Sequence, residues 1–142
     1  MGLAKATVIG VSLAIGALEL LLTSSARALG LTPMRLEHRR GLLQVSNVSN
    51  RMMRVELQVF TERQVQGRRT AALTPLPTSE AEALIHLRPS VFRLAPGGSR
   101  LIPYSVTKDQ QPFYLCGTSL QNLLQVRICS HWQPVSSATR QR

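Results

Sequence analysis

Residues Arg88 to Val106, RPSVFRLAPGGSRLIPYSV, form the most patterned stretch of this chain. From Val91 to Leu94 the residues alternate, Phe92 and Leu94 on one face and Val91 and Arg93 on the other. After Ala95-Pro96-Gly97-Gly98 the alternation resumes, with Leu101 and Pro103 against Ile102 and Tyr104. A period of two is the mark of a half-buried strand. A proline followed by paired glycines supplies the dihedrals of a tight reversal. The stretch predicts strand, turn, strand: a hairpin whose Phe92 and Leu94 enter the core. Pro103 has no N–H to give a ladder and is expected at an edge or a bulge.

The same short period recurs on both sides. Met53 to Phe60 (MRVELQVF) places Met53, Val55, Leu57 and Val59 on one face and Arg54, Glu56 and Gln58 on the other. Gly41 to Val48 (GLLQVSNV) sets Leu43, Val45 and Asn47 together, and Asn47-Val48-Ser49-Asn50 has turn chemistry. In Leu31 to Glu37 (LTPMRLE), Met34 and Leu36 alternate around Arg35. Thr61 to Glu82 is polar and broken by Gly67, Pro75 and Pro77, which predicts a long excursion with at most a short strand at Ala71 to Leu73. Ala81 to Leu87 reads as a turn of helix or a short strand, Ile85 and Leu87 favouring strand. Phe113 to Gly117 and Leu123 to Trp132 complete the series. About seven short strands with regular turns and no amphipathic helix predict an all-β fold, an immunoglobulin-like antiparallel β-sandwich.

The first residues obey another pattern. Lys5 precedes the apolar run Ala6 to Leu18, and the small-residue site Ala26-Arg27-Ala28 follows. Together these predict a secretory signal peptide over residues 1–28, cleaved after Ala28, with a retained membrane anchor as the alternative. Glu19 interrupts the apolar stretch, and no stable membrane span is expected after cleavage. The folded domain is placed at 29–135, followed by a polar tail at 136–142. From Leu29 onward there are 15 lysines and arginines, all but Lys108 being arginine, against six carboxylates. That charge calls for an acidic partner. The basic residues are scattered along the strands and the chain is predicted to be exported, so no nucleic-acid partner is expected.

Cys116 and Cys129 are the only cysteines. An even count in an exported chain favours a disulfide, two buried free thiols being the alternative. The midpoint of the pair falls between Asn122 and Leu123, so a hairpin turning there would set the sulfurs opposite one another. Two cysteines and a lone His131 are too few for a metal site, and no C-x-x-C motif is present. Asp109 is the single aspartate, the histidines lie in unrelated segments, and no nucleophile, metalloprotease or phosphate-loop motif occurs. The inventory is that of a binding protein with no cofactor, not of an enzyme.

Three segments resemble the N-terminal domain of periplasmic pilus-assembly (fimbrial) chaperones. Thr32-Pro33-Met34-Arg35-Leu36-Glu37 resembles the first strand of that family, Arg88 to Arg100 its P-x-x-F-R-L-x-P-G element, and Asn122 to Ile128 its last strand. The resemblance implies binding of a pilus subunit, or another envelope protein, by addition of the chaperone's edge strand, with an outer-membrane usher as a further partner and the periplasm as location. It makes Leu124, Val126 and Ile128 the donor-strand residues, whereas spacing alone favours their facing this protein's own core. It makes Arg35 the anchor for the subunit's terminal carboxylate. The family's second anchor is a lysine, where this chain has Cys129 or Gln133 according to register, and Arg127 is the candidate replacement. Family chaperones also carry a second immunoglobulin-like domain, whereas this sequence runs to Arg142. Two further readings are open: a single-domain structural or adaptor module of the envelope, and a basic protein that binds anionic surfaces.

Overall fold

A computed structural model of the chain describes residues 28–121 and 124–134. The export segment, apart from Ala28, lies outside the described residues, as do the turn at Asn122 and Leu123 and the tail at 136–142. The elements are β1 (Leu29–Thr32), β2 (Arg35–Leu36), β3 (Arg40–Asn47), β4 (Met53–Val65), β5 (Arg68–Ala71), α1 (Thr78–Leu84), β6 (Ile85–Leu87), β7 (Val91–Leu94), β8 (Ser99–Val106), β9 (Phe113–Gln121) and β10 (Leu124–Trp132). They form two sheets. The smaller has the order β1-β3-β8-β6; the larger runs β2-β10-β9-β4-β5, with β7 also paired to β4.

Alternation decides what the sheets enclose. Met53, Val55, Leu57 and Val59 of β4 are buried, as are Leu43 and Val45 of β3, Ile102, Tyr104 and Val106 of β8, and Phe113 and Leu115 of β9. They make one core between the sheets, closed by Phe92, Leu94 and Trp132. This is the immunoglobulin-like sandwich that the strand series predicts.

The opening stretch is not a hairpin. β7 pairs with β4 in the larger sheet, from Met53↔Leu94 to Glu56↔Val91, whereas β8 pairs with β3 and β6 in the smaller one. The turn between them carries the chain across the core. Its chemistry explains the outcome: Pro96 is followed by Gly97 at φ +69°, and the Gly98 N–H donates to the Ala95 carbonyl at 2.9 Å. A proline followed by a left-handed glycine is a type II turn, whose twist does not match that of a two-residue hairpin. Phe92 and Leu94 are buried as expected, and β6 ends at the Leu87↔Tyr104 pair, one residue short of Pro103. Beyond that point β8 has an open side on which a missing N–H breaks no ladder.

Two other expectations change. The excursion from Thr61 is ordered: β4 continues to Val65, turns at Gln66 and Gly67 (φ 50° and 74°), and returns as β5. Two consecutive left-handed residues make the reversal that suits a tight hairpin. Ala81 to Leu87 is both alternatives in sequence, the end of α1 and then β6. Met34 is exposed while Leu36 is buried, because the chain leaves the smaller sheet after Thr32 and joins the larger one at Arg35. A proline lies at that switch and interrupts the alternation.

Candidate functional site

The last strand is hydrogen-bonded to one neighbour along its length and to another only at its end. β10 pairs antiparallel with β9 from Leu124↔Gln121 to Trp132↔Phe113. On its other side β2 runs parallel to it and meets only His131 and Trp132, where the His131 N–H donates to the Met34 carbonyl at 3.0 Å. Successive N–H groups of a strand point to opposite sides. The His131 N–H points outward, so those of Cys129, Arg127 and Gln125 do too. Among the described residues no strand pairs with this edge from Leu124 to Cys129. It presents the unpaired backbone groups that another chain can extend.

The candidate donor residues lie on this strand. Leu124 begins β10, and Val126 and Ile128 are half-buried and pack against the core between the sheets. Their side chains thus touch this protein's own core while the backbone beside them faces outward. Gln125 and Arg127 are exposed on the opposite face.

Cys116 and Cys129 form a disulfide. They are direct partners in the β9–β10 register, with Cα atoms 4.0 Å apart. The outward direction of the Cys129 N–H makes this a non-hydrogen-bonded pair, the kind in which antiparallel strands approach most closely. The bridge lies on the outer face of the larger sheet, where Cys116 is fully buried against Phe60 and Ala71, with Tyr114 and Cys129 packed beside them.

The candidate arginines are not brought together. Arg35 is exposed at the edge, in register with His131. Arg127 lies four residues further along β10, about 13 Å away at the usual rise of a strand. Its guanidinium sits 4.8 Å from the centre of the Phe60 ring, and Nη1 donates to the Ala72 carbonyl at 3.3 Å. Arg127 therefore reaches inward across the sheet, away from Arg35. Gln133, the other position matching the family lysine, is exposed just past β10.

A cluster that sequence reading did not single out lies beside the disulfide. The His131 Nε2 is 2.8 Å from Glu62 Oε2, and the imidazole stacks on Tyr114 at 4.3 Å between ring centres. Arg69 of β5 reaches the other Glu62 oxygen at 3.7 Å. Burial raises the Tyr114 pKa, the Glu62 charge raises it further, and Arg69 opposes the rise. The signal was present in part: a hairpin pairing Cys116 with Cys129 also pairs Tyr114 with His131. Glu62 could not be found, because the extension of β4 past Phe60 was not legible. No group of acidic, histidine or cysteine side chains among the described residues could hold a metal, and no described helix is long and apolar enough to cross a membrane.

The class this architecture defines is the immunoglobulin-like sandwich whose first strand changes sheets and whose last strand is open along one edge. No family model matches the chain, and no curated protein matches it in sequence. Solved structures do match, and they are those of periplasmic pilus chaperones. The CupB2 chaperone of Pseudomonas aeruginosa is 18% identical, with 76% of this chain and 57% of that one covered and a TM-score of 0.52. The class 5 fimbriae chaperone CfaA is 10% identical, with 76% and 57% covered and a TM-score of 0.56. The complex of Salmonella enterica SafA pilin with the SafB chaperone matches at 15% identity, 76% and 55% coverage, and a TM-score of 0.50. The chain thus has the fold of a pilus-chaperone domain and spans little more than half the length of these chaperones.

Proposed function

We propose that this chain is a periplasmic protein of pilus-chaperone type that binds a pilus subunit, or another envelope protein with an unfilled strand position, by strand addition along β10. The observation that carries the reading is the open edge from Leu124 to Cys129, beside alternating apolar side chains at Val126 and Ile128. Main-chain pairing along such an edge supplies affinity, and side chains at every second position supply selectivity. The fold shared with the SafB chaperone, found in complex with a pilin, supports the same reading. Arg35, exposed at the foot of this edge, is placed to meet a carboxylate of the bound chain.

The test is Gln125→Pro. The Gln125 N–H points to the open edge and not to β9, so its loss breaks no internal ladder bond. Tagged full-length chain is exported and recovered from a periplasmic extract. The native sequence should retain a subunit of incomplete immunoglobulin fold, and the proline variant should fold but lose it. Retention by the variant, or recovery of no such subunit by the native chain, would overturn the proposal.

A second reading, a structural or adaptor module with one fixed partner, is favoured by the disulfide that pins β9 to β10 and by the packing of Val126 and Ile128 on the core. It predicts that a partner is retained by Gln125→Pro.

A further inference from the structure

One end of the sandwich combines exposed apolar groups with an excess of positive charge. The loop of residues 48–52, the turn at 95–98, the end of β9 and the start of β1 meet there. Val48 is 68% exposed, Met52 61% and Leu120 73%. Asn47 fixes the loop that bears Val48 and Met52 to the neighbouring turn through bonds to Arg51, Leu94 and Ala95, so these side chains are held out on an ordered support.

Arg54 and Arg93 stand beside them. They are direct partners on β4 and β7, exposed on the same face. Like charges directly opposite one another destabilise a sheet, and among the described residues no carboxylate pairs with either. Glu56, two residues along β4, is the nearest acid in register and accepts a bond from Gln58. Glu37, Glu62 and Asp109 belong to the far end of the strands, and Glu80 and Glu82 to α1, which leads into β6 opposite Val106.

The export segment joins at this same end: the Ala28 carbonyl accepts the Val48 N–H at 2.8 Å, so in the retained-anchor alternative the apolar run Ala6 to Leu18 is tethered beside the exposed loop by residues 19–27. A soluble polyanion would satisfy the arginines but leave Val48, Met52 and Leu120 in water. An anionic lipid surface satisfies both, apolar groups entering the interface and arginines meeting phosphates.

We propose that this end of the sandwich docks on an anionic lipid surface, through Val48, Met52 and Leu120 flanked by Arg54 and Arg93. The docking surface borders the open edge of β10, since Leu120 is the register partner of Gln125, but its arginines lie on β4 and β7, and variants there leave the backbone of that edge unchanged. The test compares full-length chains on vesicles of phosphatidylcholine alone and with phosphatidylglycerol; the apolar run is present in every variant, so its contribution cancels in the ratios. Arg54→Gln with Arg93→Gln should weaken binding to anionic vesicles about 30-fold, the effect of two charges near such a surface, and leave binding to neutral vesicles unchanged. Arg63→Gln with Arg68→Gln removes the same charge at the far end and should change binding by less than about twofold, since that end stands beyond a screening length. Equal loss from both pairs would overturn the proposal, as would binding of the native chain indifferent to anionic lipid. Arginine-dependent binding to heparin with no preference for anionic vesicles would assign the surface to a soluble polyanion and overturn it too.

Discussion

Cys129 stands directly opposite Cys116 in the β9–β10 register, and their bridge packs under Phe60 on the outer face of the larger sheet. The crosslink closes a loop with a sequence separation of 13 residues. Constraining a loop of that length in the unfolded chain is worth about 3 kcal/mol. Cys116→Ala with Cys129→Ala should lower unfolding stability by about that amount in urea, against a control in which the native chain is unfolded under reducing conditions. Because Cys116 is buried while Cys129 is only partly so, Cys116→Ala with Cys129→Ser should resemble the double alanine, and Cys116→Ser with Cys129→Ala should be worse.

Asn47 joins three backbone segments. Its Nδ2 is within hydrogen-bond reach of the Arg51, Leu94 and Ala95 carbonyls, and its Oδ1 accepts from the Ser49 N–H and hydroxyl. The side chain is fully buried, so removal strands carbonyls that water cannot easily reach. Asn47→Ala should cost about 2–3 kcal/mol. Asn47→Asp keeps the shape but replaces the donor by a buried carboxylate facing carbonyls, and should cost at least as much. Urea unfolding at an unchanged m-value measures both.

These two features show how far the sequence was legible. The cysteine spacing fixed a register, and the structure contains it. Asn47 could be placed on a buried face by alternation with Leu43 and Val45, but two of its partners, the Leu94 and Ala95 carbonyls, lie at a turn some 48 residues away in the chain, which periodicity does not reveal. Alternation also located Phe92 and Leu94 in the core while leaving open which sheet each arm of the Pro96–Gly98 turn would join. That choice rested on turn type, and Pro96-Gly97 read as a type II turn argues against a hairpin. The course of β4 past Phe60 was lost because its continuation is polar on both faces, lying where the sheet reaches beyond the core.

Glycines at two places predict opposite outcomes for the same substitution. A Cβ on Gly41 would fall 2.7 Å from the Tyr104 hydroxyl and within 3.0 Å of its ring, whereas one on Gly117 would find Leu29 and Leu57 at 3.5 Å. Gly41→Ala should displace the buried tyrosine and cost about 1–3 kcal/mol. Gly117→Ala fills ordinary contact distance in the core and should leave stability unchanged or raise it by about 0.5–1 kcal/mol. Thermal melts of the two variants against the native chain test the contrast.

Burial raises the pKa of Tyr104, and burial together with the Glu62 charge raises that of Tyr114. In the unfolded chain both phenols lose their protons near the ordinary value of about 10. Above that pH the unfolded state binds fewer protons than the folded one, so stability falls as pH rises. The stabilising contribution is complete below pH 10 and is lost as pH climbs through the raised values. Urea midpoints should be insensitive to tyrosine ionisation below pH 9 and decline above pH 10. Tyr104→Phe should make that decline shallower, and an unchanged slope would assign it to other groups.

Val126 and Ile128 are each half-buried against the core, yet lie on the strand whose outer backbone is open. Full truncation of a buried aliphatic residue costs about 2–5 kcal/mol, and these should cost less, near 1 kcal/mol each, because the core holds only part of their surface. If their remaining surface enters a bound subunit, Val126→Ala and Ile128→Ala will reduce subunit capture by more than their stability loss accounts for. The comparison needs urea midpoints and capture yields on the same variants, with Gln125→Ala as the exposed neighbour that should change neither. Capture unchanged by Val126→Ala and Ile128→Ala but abolished by Gln125→Pro would confine the interaction to the main chain of β10. Those side chains would then serve only this domain's own core.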